Sequence, residues 1–406
     1  MSKVYELVRE GVQIHNPESV FIADDVNLSR ISKKNVNIYA GCKIFGASTL
    51  IIDGAKLGYE APVTIENCQI GPHVELKGGF FKQAVFLEKA SMGSGAHVRD
   101  GTILEEHASA AHTVGLKQTI LFPFVTLGSL INFCDCFMSG GTSRKDHSEV
   151  GSAYIHFNYT PNQDKATPSL IGDVPHGVML NQRPIFLGGQ GGLVGPCVLS
   201  FGTVTAAGTI CRKDELRPNR LIASGHKRDI NIPYFSSVYS SSKRIIYNNV
   251  LYMANLLALF QWYTHVRSAF ICPEFPEPLF FGLKEKLDMA INERIRQLKA
   301  YCMNFQENSI DSQTSPPIKL MSELKERWQE LEHYFVQAKM GRFHTRQRDV
   351  FLEQIEKIIQ KKGKHYITVI KRLPKNLSES GTSWLNNVAD RILGDCSQII
   401  PTLKSS

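Results

Sequence analysis

The chain has 406 residues, of which 43% are hydrophobic and 21% charged, with a formal net charge of +8. Those values belong to a folded globular protein and exclude a disordered or collagen-like one, and the length exceeds one usual core, so two or three structural units are expected. The most apolar run, Val250 to Tyr263, is interrupted by Asn255 and Gln261 and falls short of the roughly 20 residues a bilayer crossing needs, so no membrane span is expected.

Residues 3 to 11 have the pattern of a short helix ending at Gly11, followed by a turn at Asn16-Pro17. Glu and Arg interrupt the apolar residues between Met1 and His15, so no secretory leader is expected. Nine cysteines, an odd number without a disulfide spacing, suit reduced thiols in a cytoplasmic protein. Cys134 and Cys136 form the only close pair, and with no second pair and no His, Cys or Asp group at ligand spacing, no metal is expected.

From about Val20 to Cys211 the apolar residues repeat every six positions. Met92, Val98, Leu104 and Ala110 form one row, and Ala96, Thr102, Ala108 and Val114 another. Further on, Val194, Ser200 and Ala206 form a row, as do Val198, Val204 and Ile210. A period of six matches neither a helix nor a hairpin. It predicts a coil in which six residues make one flat strand and one turn, three to a rung, with these rows facing inward. The fold class is therefore mainly β, a left-handed parallel β-helix over 20–213, followed by a helical domain.

The repeat breaks at Asn132 to Ser148, at Phe157 to Ile171, and at Leu180 to Gln190. Insertions in a solenoid become loops on one face, often the binding face. The run Gly188-Gly189-Gln190-Gly191-Gly192 has no helix after it and reads as a crowded turn rather than a phosphate loop. Residues 1–19 are the entry helix and linker, and 214–242 a connecting segment. Residues 243–406 are helical, with helices expected at 243–270, 283–304, 320–339, 345–361 and 383–393 and a linker at 305–317. Tyr247, Tyr252, Trp262 and Tyr263 read as core or as a contact with another protein; a nucleic-acid platform needs basic residues between its aromatics, and few are present.

Several segments of the repeat zone resemble the acetyltransferase half of the bifunctional enzyme family that makes UDP-N-acetylglucosamine. Arg99-Asp100-Gly101 is similar to the family's Arg-Pro-Gly, and Val114-Gly115-Leu116-Lys117 to its Val-x-x-Lys. Asn158-Tyr159-Thr160-Pro161, Lys165 and Ile171-Gly172-Asp173 are similar to its Asn-Tyr-Asp-Gly, lysine and Ile-Gly-Asp. The resemblance covers roughly residues 5 to 213. It implies that Arg99, Lys117, Asn158, Tyr159 and Lys165 bind a sugar phosphate or UDP-sugar, that acetyl-CoA or another acyl-CoA is the donor, and that three chains pack as a homotrimer with sites between them.

One position departs from the family. In Gly128-Ser129-Leu130-Ile131-Asn132-Phe133-Cys134-Asp135, Ser129 stands where the family has its catalytic histidine and Asn132 where it has a tyrosine. Serine cannot accept the proton of an attacking amine near neutral pH, whereas imidazole can. His112, His147 and His156 are the nearby imidazoles; His156, directly before the Asn-Tyr pair, is the candidate base. Two functions follow: an acyltransferase with a relocated base, or a non-catalytic nucleotide-sugar-binding or scaffold protein whose helical domain recruits a partner. The family's uridyltransferase needs a Gly-rich Rossmann-like domain, which the sequence does not contain.

Overall fold

The computed structural model describes residues 2–159, 164–223, 242–304, 316–341, 343 and 345–404. Thr160-Pro161, most of the connecting segment and nearly all of the expected linker at 305–317 lie outside the described residues.

The period of six builds a parallel β-solenoid with three sides. Sheet A has 11 strands, from Gln13–Ile14 to Leu221–Ile222, sheet B 10, from Phe21–Ile22 to Ile210–Cys211, and sheet C 8, from Leu50–Ile51 to Val198–Leu199, and in each the strands stack parallel on their successors in the coil. Ser91 pairs with Ser109, 18 residues on, which is one rung of three six-residue sides. Pairing extends from Gln13 to Ile222, so the coil runs somewhat past both ends of the repeat legible in sequence. The helix Lys3–Arg9 (α1) closes its first end, with Val4 and Leu7 buried and Lys3 Nζ bonded to the Val26 carbonyl at 2.6 Å. Rungs this close leave no room for a side chain where a corner crosses a neighbour. Gly79 has φ +130°, and a Cβ there would lie 2.2 Å from the Ala96 carbonyl oxygen.

The first two inward rows are as the period predicts: Met92, Val98, Leu104, Thr102, Ala108 and Val114 are all fully buried. The later rows are displaced by one residue. Leu193, Leu199, Thr205 and Cys211 face the interior, as do Cys197, Thr203 and Thr209. Val194, Val198 and Val204 lie on the outer faces. A one-residue slip reverses every side chain of a strand. Here small polar residues take the interior, where Thr205 Oγ1 accepts the Gly188 amide proton at 2.9 Å.

The three interruptions are loops of different kinds. Asn132–Cys134 and Cys136–Met138 remain regular strands, and the first insertion is the hairpin of Gly141–Ser143 with Asp146–His147. The second begins after the strand Ile155–Phe157 and returns at Ser169–Ile171; the excursion that follows starts earlier than the expected Leu180, with the one-turn helix Val174–Gly177 (α2), and the strand Phe186–Leu187 restores sheet A within 180–190. The Gly188–Gly192 run is a crowded turn, since a Cβ on Gly191 would meet Gly188 O and Tyr154 Cε2, each at 2.7 Å.

The remaining helices are Ser242–His265 (α3), Glu277–Asn304 (α4), Pro316–Ala338 (α5), Thr345–Lys362 (α6), Tyr366–Lys371 (α7) and Lys375–Ile399 (α8). Helix α8 is far longer than expected at 383–393. Its Ser-Gly-Thr-Ser stretch resembles a break, but Gly381 is where Met179 and the Phe351 ring press on the helix, 2.6 Å from a Cβ placed there. Helix α7, which the sequence reading omits, buries Tyr366, Val369 and Ile370.

This domain lies on sheet C. Helix α4 climbs the coil, with Gly282 against Gln69, Lys286 Nζ bonded to Gln83 at 2.6 Å and Arg294 bonded to Asp135 at 2.7 Å. Helix α3 runs the other way, from Arg244 on the Pro196 carbonyl at 2.8 Å to Tyr263 on Glu105. Tyr252, Trp262 and Tyr263 are core, while Tyr247 is exposed. One side of the three-sided coil is thus covered by the chain's own helices. Among the described residues no helix is long and apolar enough to cross a membrane.

Candidate functional site

The outer face of sheet B carries three of the residues singled out in sequence, Arg99, Lys117 and Asn132. In a strand, residues two apart share a face. His97 and Arg99 therefore both point outward from the segment 96–99, flanking the inward Val98. Register carries this outward pattern up the coil: His97 pairs with Gly115 and Val98 with Leu116, and one rung further Gly115 pairs with Asn132 and Lys117 with Cys134. Arg99 and Lys117 are thus stacked one rung apart, about 4.8 Å between strands. Gly115 between His97 and Asn132 leaves a gap, its nearest neighbour to a Cβ being Asn132 Oδ1 at 3.5 Å.

The gap is the floor of an open cleft of about 430 Å³ lined by His97, Arg99, Gly115, Asn132 and Ile155. Beside it a second cleft, about 410 Å³, lies between the coil and α4, with Lys117 and Asp100 on one wall and Asn292, Glu293 and Arg296 on the other. Among the described residues neither Arg99 nor Lys117 has an ion-pair partner, whereas Lys82, one rung before Arg99, is held by Glu66 at 2.9 Å. Two adjacent cations without an ion pair among the described residues, Arg99 lining one cleft and Lys117 the other, could hold an anion that spans them.

Cys134 marks the point where the cations converge. Burial raises its thiol pKa, and the neighbouring Asp135 charge adds to this, while Arg99, Lys117 and Lys165 all pull it down. Lys165 also faces the Tyr159 ring, 6.0 Å from its centroid. Asn158 joins through the next residue, donating from Nδ2 to Asp135 Oδ2 at 3.4 Å. Asp135 is buried, and its carboxyl is raised above its usual range by burial, against the lowering effect of Arg294 and of the Asn158 hydrogen bond. Arg294 also donates to the Lys165 carbonyl at 3.3 Å. A single helix-borne arginine therefore ties together the segments that carry Cys134, Asn158 and Lys165.

His156 is placed differently. It occupies the middle of the strand Ile155–Phe157, so the two apolar neighbours point out and the imidazole points in. It is 3% exposed and its Nε2 lies 2.8 Å from Ser169 Oγ. Burial lowers its pKa to about 4. An interior imidazole with no opening to the cleft does not meet an amine bound on the outer face, and as placed it is a core residue. Lys165, Asn158 and Tyr159 lie beyond this strand on the same side as the cations, and Asn132 lines the cleft itself.

Of two further imidazoles, His97 lines the cleft and His112 directly precedes its lining residue Thr113. His112 Nδ1 lies 2.9 Å from Ser129 Oγ, so the residue standing at the altered position holds an imidazole from the rung below. His97 lines the cleft two residues before Arg99 and stacks on Phe80, 5.2 Å between centroids. His97 is not among the residues singled out in sequence, although it shares the outward parity of Arg99. His147 lies on the inserted hairpin, 3.6 Å from Glu149. In Ile171-Gly172-Asp173 the roles are structural, for Ile171 is buried and Asp173 caps α2 by accepting the His176 amide proton at 2.8 Å.

Comparison with characterised proteins gives the same half of the chain. The bifunctional protein GlmU of Trichlorobacter lovleyi is 25% identical over 210 residues, which is 52% of this chain and 40% of that protein. The bifunctional protein GlmU of Clavibacter sepedonicus is 26% identical over 204 residues, 50% of this chain and 36% of that one. That of Thermotoga maritima is 26% identical over 215 residues, 53% and 42% respectively. The chain spans about two fifths of the length of the relatives it matches. No protein-family model matches it. The similarity and the three-sided coil together give a hexapeptide-repeat solenoid, similar over its length to part of the GlmU proteins, joined to a helical domain.

Proposed function

We propose that the sheet B cleft binds a sugar phosphate or UDP-sugar, and that the chain is a sugar-nucleotide acyltransferase-like protein working in the cytoplasm. The observation that carries this reading is the pair of unpaired cations, Arg99 and Lys117, stacked one rung apart beside the Gly115 gap. A diphosphate spans two rungs, and each charge-assisted hydrogen bond to it contributes about 1.5–3 kcal/mol. Titration calorimetry with UDP-N-acetylglucosamine tests the reading. Arg99→Ala combined with Lys117→Ala is expected to weaken binding about 100-fold or more, and wild-type protein that takes up no heat at millimolar ligand removes it.

Acyl transfer in this cleft uses an acyl-CoA as donor. The acceptor amine attacks the thioester carbonyl, the C–S bond breaks with release of the thiol, and the amine's proton passes to an imidazole. His97 and His112 are the imidazoles at hand. Thiol release from acetyl-CoA with glucosamine 1-phosphate, measured for wild type and for His97→Asn and His112→Asn, assigns the base.

A specific observation favours a second reading, that of a non-catalytic nucleotide-sugar-binding protein or scaffold. Ser129 replaces the family's histidine, and His156 is enclosed in the core. Ligand binding without thiol release under any acceptor supports it. Both readings keep the homotrimer. Sheet C is occupied by the chain's own helices, which leaves sheets A and B for packing against other copies. Sedimentation equilibrium is expected to give three times the 45.5 kDa chain mass, and a monomer sinks the trimer together with any site shared between chains.

A further inference from the structure

The helical domain carries a groove of its own between α6 and α8, and none of its lining residues belongs to the coil. The two helices run antiparallel. Asn387 of α8 donates to Gln347 near the start of α6 at 2.9 Å, while the end of α6 faces Pro374 and Asn376 around the start of α8. Phe351, Ile355 and Ile359 fill the core side of α6. One step around the helix, Val350, Gln354, Ile358 and Lys361 form a second stripe opposite Leu377 of α8. The groove has a volume of about 430 Å³ and follows about three turns of α6, roughly 16 Å. Its floor is apolar: Val350 is 55% exposed, and Ile358 and Leu377 are half-buried.

Charge accumulates at one end of this groove. From Lys357 to Lys375 the sequence has seven lysines and arginines, all exposed, and no aspartate or glutamate. The only charged residues lining the groove are Lys357 and Lys361. Lys357 is paired with Glu353 at 2.6 Å, both side chains more than half exposed, and Lys375 with Glu379 at 3.8 Å. Exposed pairs of this kind are weak and exchange readily. The helix dipole favours cations at the ends of α6 and α7, but it opposes Lys375, which opens α8. Local helix chemistry therefore does not account for the whole patch, and an anionic partner does.

The shape says which kind. The apolar side chains lie at the bottom of a trough between two helices, where a flat bilayer surface does not reach. Tyr366, the one Phe, Tyr or Trp between Lys357 and Lys375, is buried, so no such ring stands among the cations to stack a base. A trough about three turns long, apolar along its floor and basic along one wall, matches a helix laid in a groove. We propose that this groove binds an acidic amphipathic helix of a partner protein. Its aliphatic face rests on Val350, Ile358 and Leu377, and its carboxylates meet Lys357 and Lys361. This surface is independent of the sheet B cleft and of the reading given to it.

The test uses the intact chain and a fluorescein-labelled peptide of about 15 residues, with leucines at i, i+4, i+7 and i+11 and glutamates flanking that stripe. Fluorescence anisotropy at about 0.15 M salt is expected to show saturable binding with a Kd of about 10–100 μM. A peptide of the same composition with its leucines spread around the helix keeps the charge and loses the stripe, and is expected to bind about tenfold more weakly. Lys357→Glu combined with Lys361→Glu is expected to weaken the striped peptide about tenfold or more, and so is Val350→Asp. All three positions are exposed, so the variants are expected to unfold as wild type does. Phosphatidylserine–phosphatidylcholine vesicles and a thymidine oligonucleotide are expected to bind more weakly than the striped peptide and to be indifferent to Val350→Asp. No saturable binding at about 1 mM peptide empties the groove, and equal affinity for the two peptides reduces it to a charged patch. Tighter binding of vesicles or oligonucleotide makes it a membrane or nucleic-acid surface, and unchanged affinity in both variants puts the peptide elsewhere. Each of those four results overturns the proposal.

Discussion

Arg294→Met is expected to lower the unfolding free energy by about 3–5 kcal/mol, the cost of stranding a buried charge. Asp135 is 4% exposed and has two side-chain partners, Arg294 at 2.7 Å and Asn158 at 3.4 Å. Methionine keeps most of the volume of arginine and removes the ion-pair partner of the carboxylate among the described residues. The loss is therefore electrostatic rather than a cavity effect, and Asp135→Asn in the Arg294→Met background is expected to recover much of it, because an asparagine asks for no counter-charge. Urea unfolding of the four proteins in this cycle gives the coupling energy. The same change reaches the cleft, since Arg294 also holds the Lys165 carbonyl, so affinity for UDP-N-acetylglucosamine is expected to fall although residue 294 does not line the cleft. A single variant within about 1 kcal/mol of wild type shows that α4 docks by its apolar contacts alone.

The coil was legible because its period is long and its small corners are obligatory; Met92, Val98 and Leu104 point inward as six-residue spacing requires. Legibility fails where hydrophobicity and facing part company. In 193–211 the valines lie outside and threonines and cysteines inside, so a reading that sends β-branched residues inward slips by one. His156 fails for the same reason: between two exposed apolar residues, Ile155 and Phe157, the polar side chain is the one that enters the core. Arg99, Lys117 and Lys165 are legible by motif; register stacks Arg99 and Lys117 toward Cys134, whereas Lys165 reaches it from the insertion between Phe157 and Ser169, which no register predicts. The contacts of the helical domain had no local signal at all. Asp135 and Arg294 are 159 residues apart in the chain, and nothing in either neighbourhood announces the other. The buried Glu105, Glu106 and Arg267 cluster belongs to the same class, and it has a consequence for pH.

Glu105→Gln is expected to stabilise the protein at pH 8 by at least about 2 kcal/mol and to have little effect near pH 4. Burial lifts the Glu105 carboxyl from 4.5 to about 8, with Glu106 adding to the rise and Arg267 and the Tyr263 hydroxyl opposing it. Between those two values the folded chain keeps a proton that the unfolded chain releases, so stability falls as pH rises, by about 1.4 kcal/mol per unit at full slope. The favourable contribution is complete below 4.5 and gone above about 8. His156 acts in the opposite sense. Its pKa is lowered from 6.5 to about 4, so in that window the unfolded chain binds a proton that the folded chain refuses, and stability rises with pH. His265, also lowered to about 4, acts in the same sense as His156; both slopes oppose that of Glu105 between pH 4.5 and 6.5, and above 6.5 the Glu105 slope stands without theirs. Wild type should accordingly lose stability from pH 6.5 to 8, whereas Glu105→Gln holds its value. Glutamine keeps the acceptor for the Tyr263 hydroxyl, so the variant changes charge and little else. Chemical unfolding across this pH range, followed by tryptophan fluorescence, reads the difference at the junction itself, because Trp262 is buried beside Tyr263 and bonded to Tyr366 at 3.0 Å. Parallel curves for the two proteins mean that Glu105 is ionised in the folded state, and that α3 is docked on a charged corner rather than a neutral one.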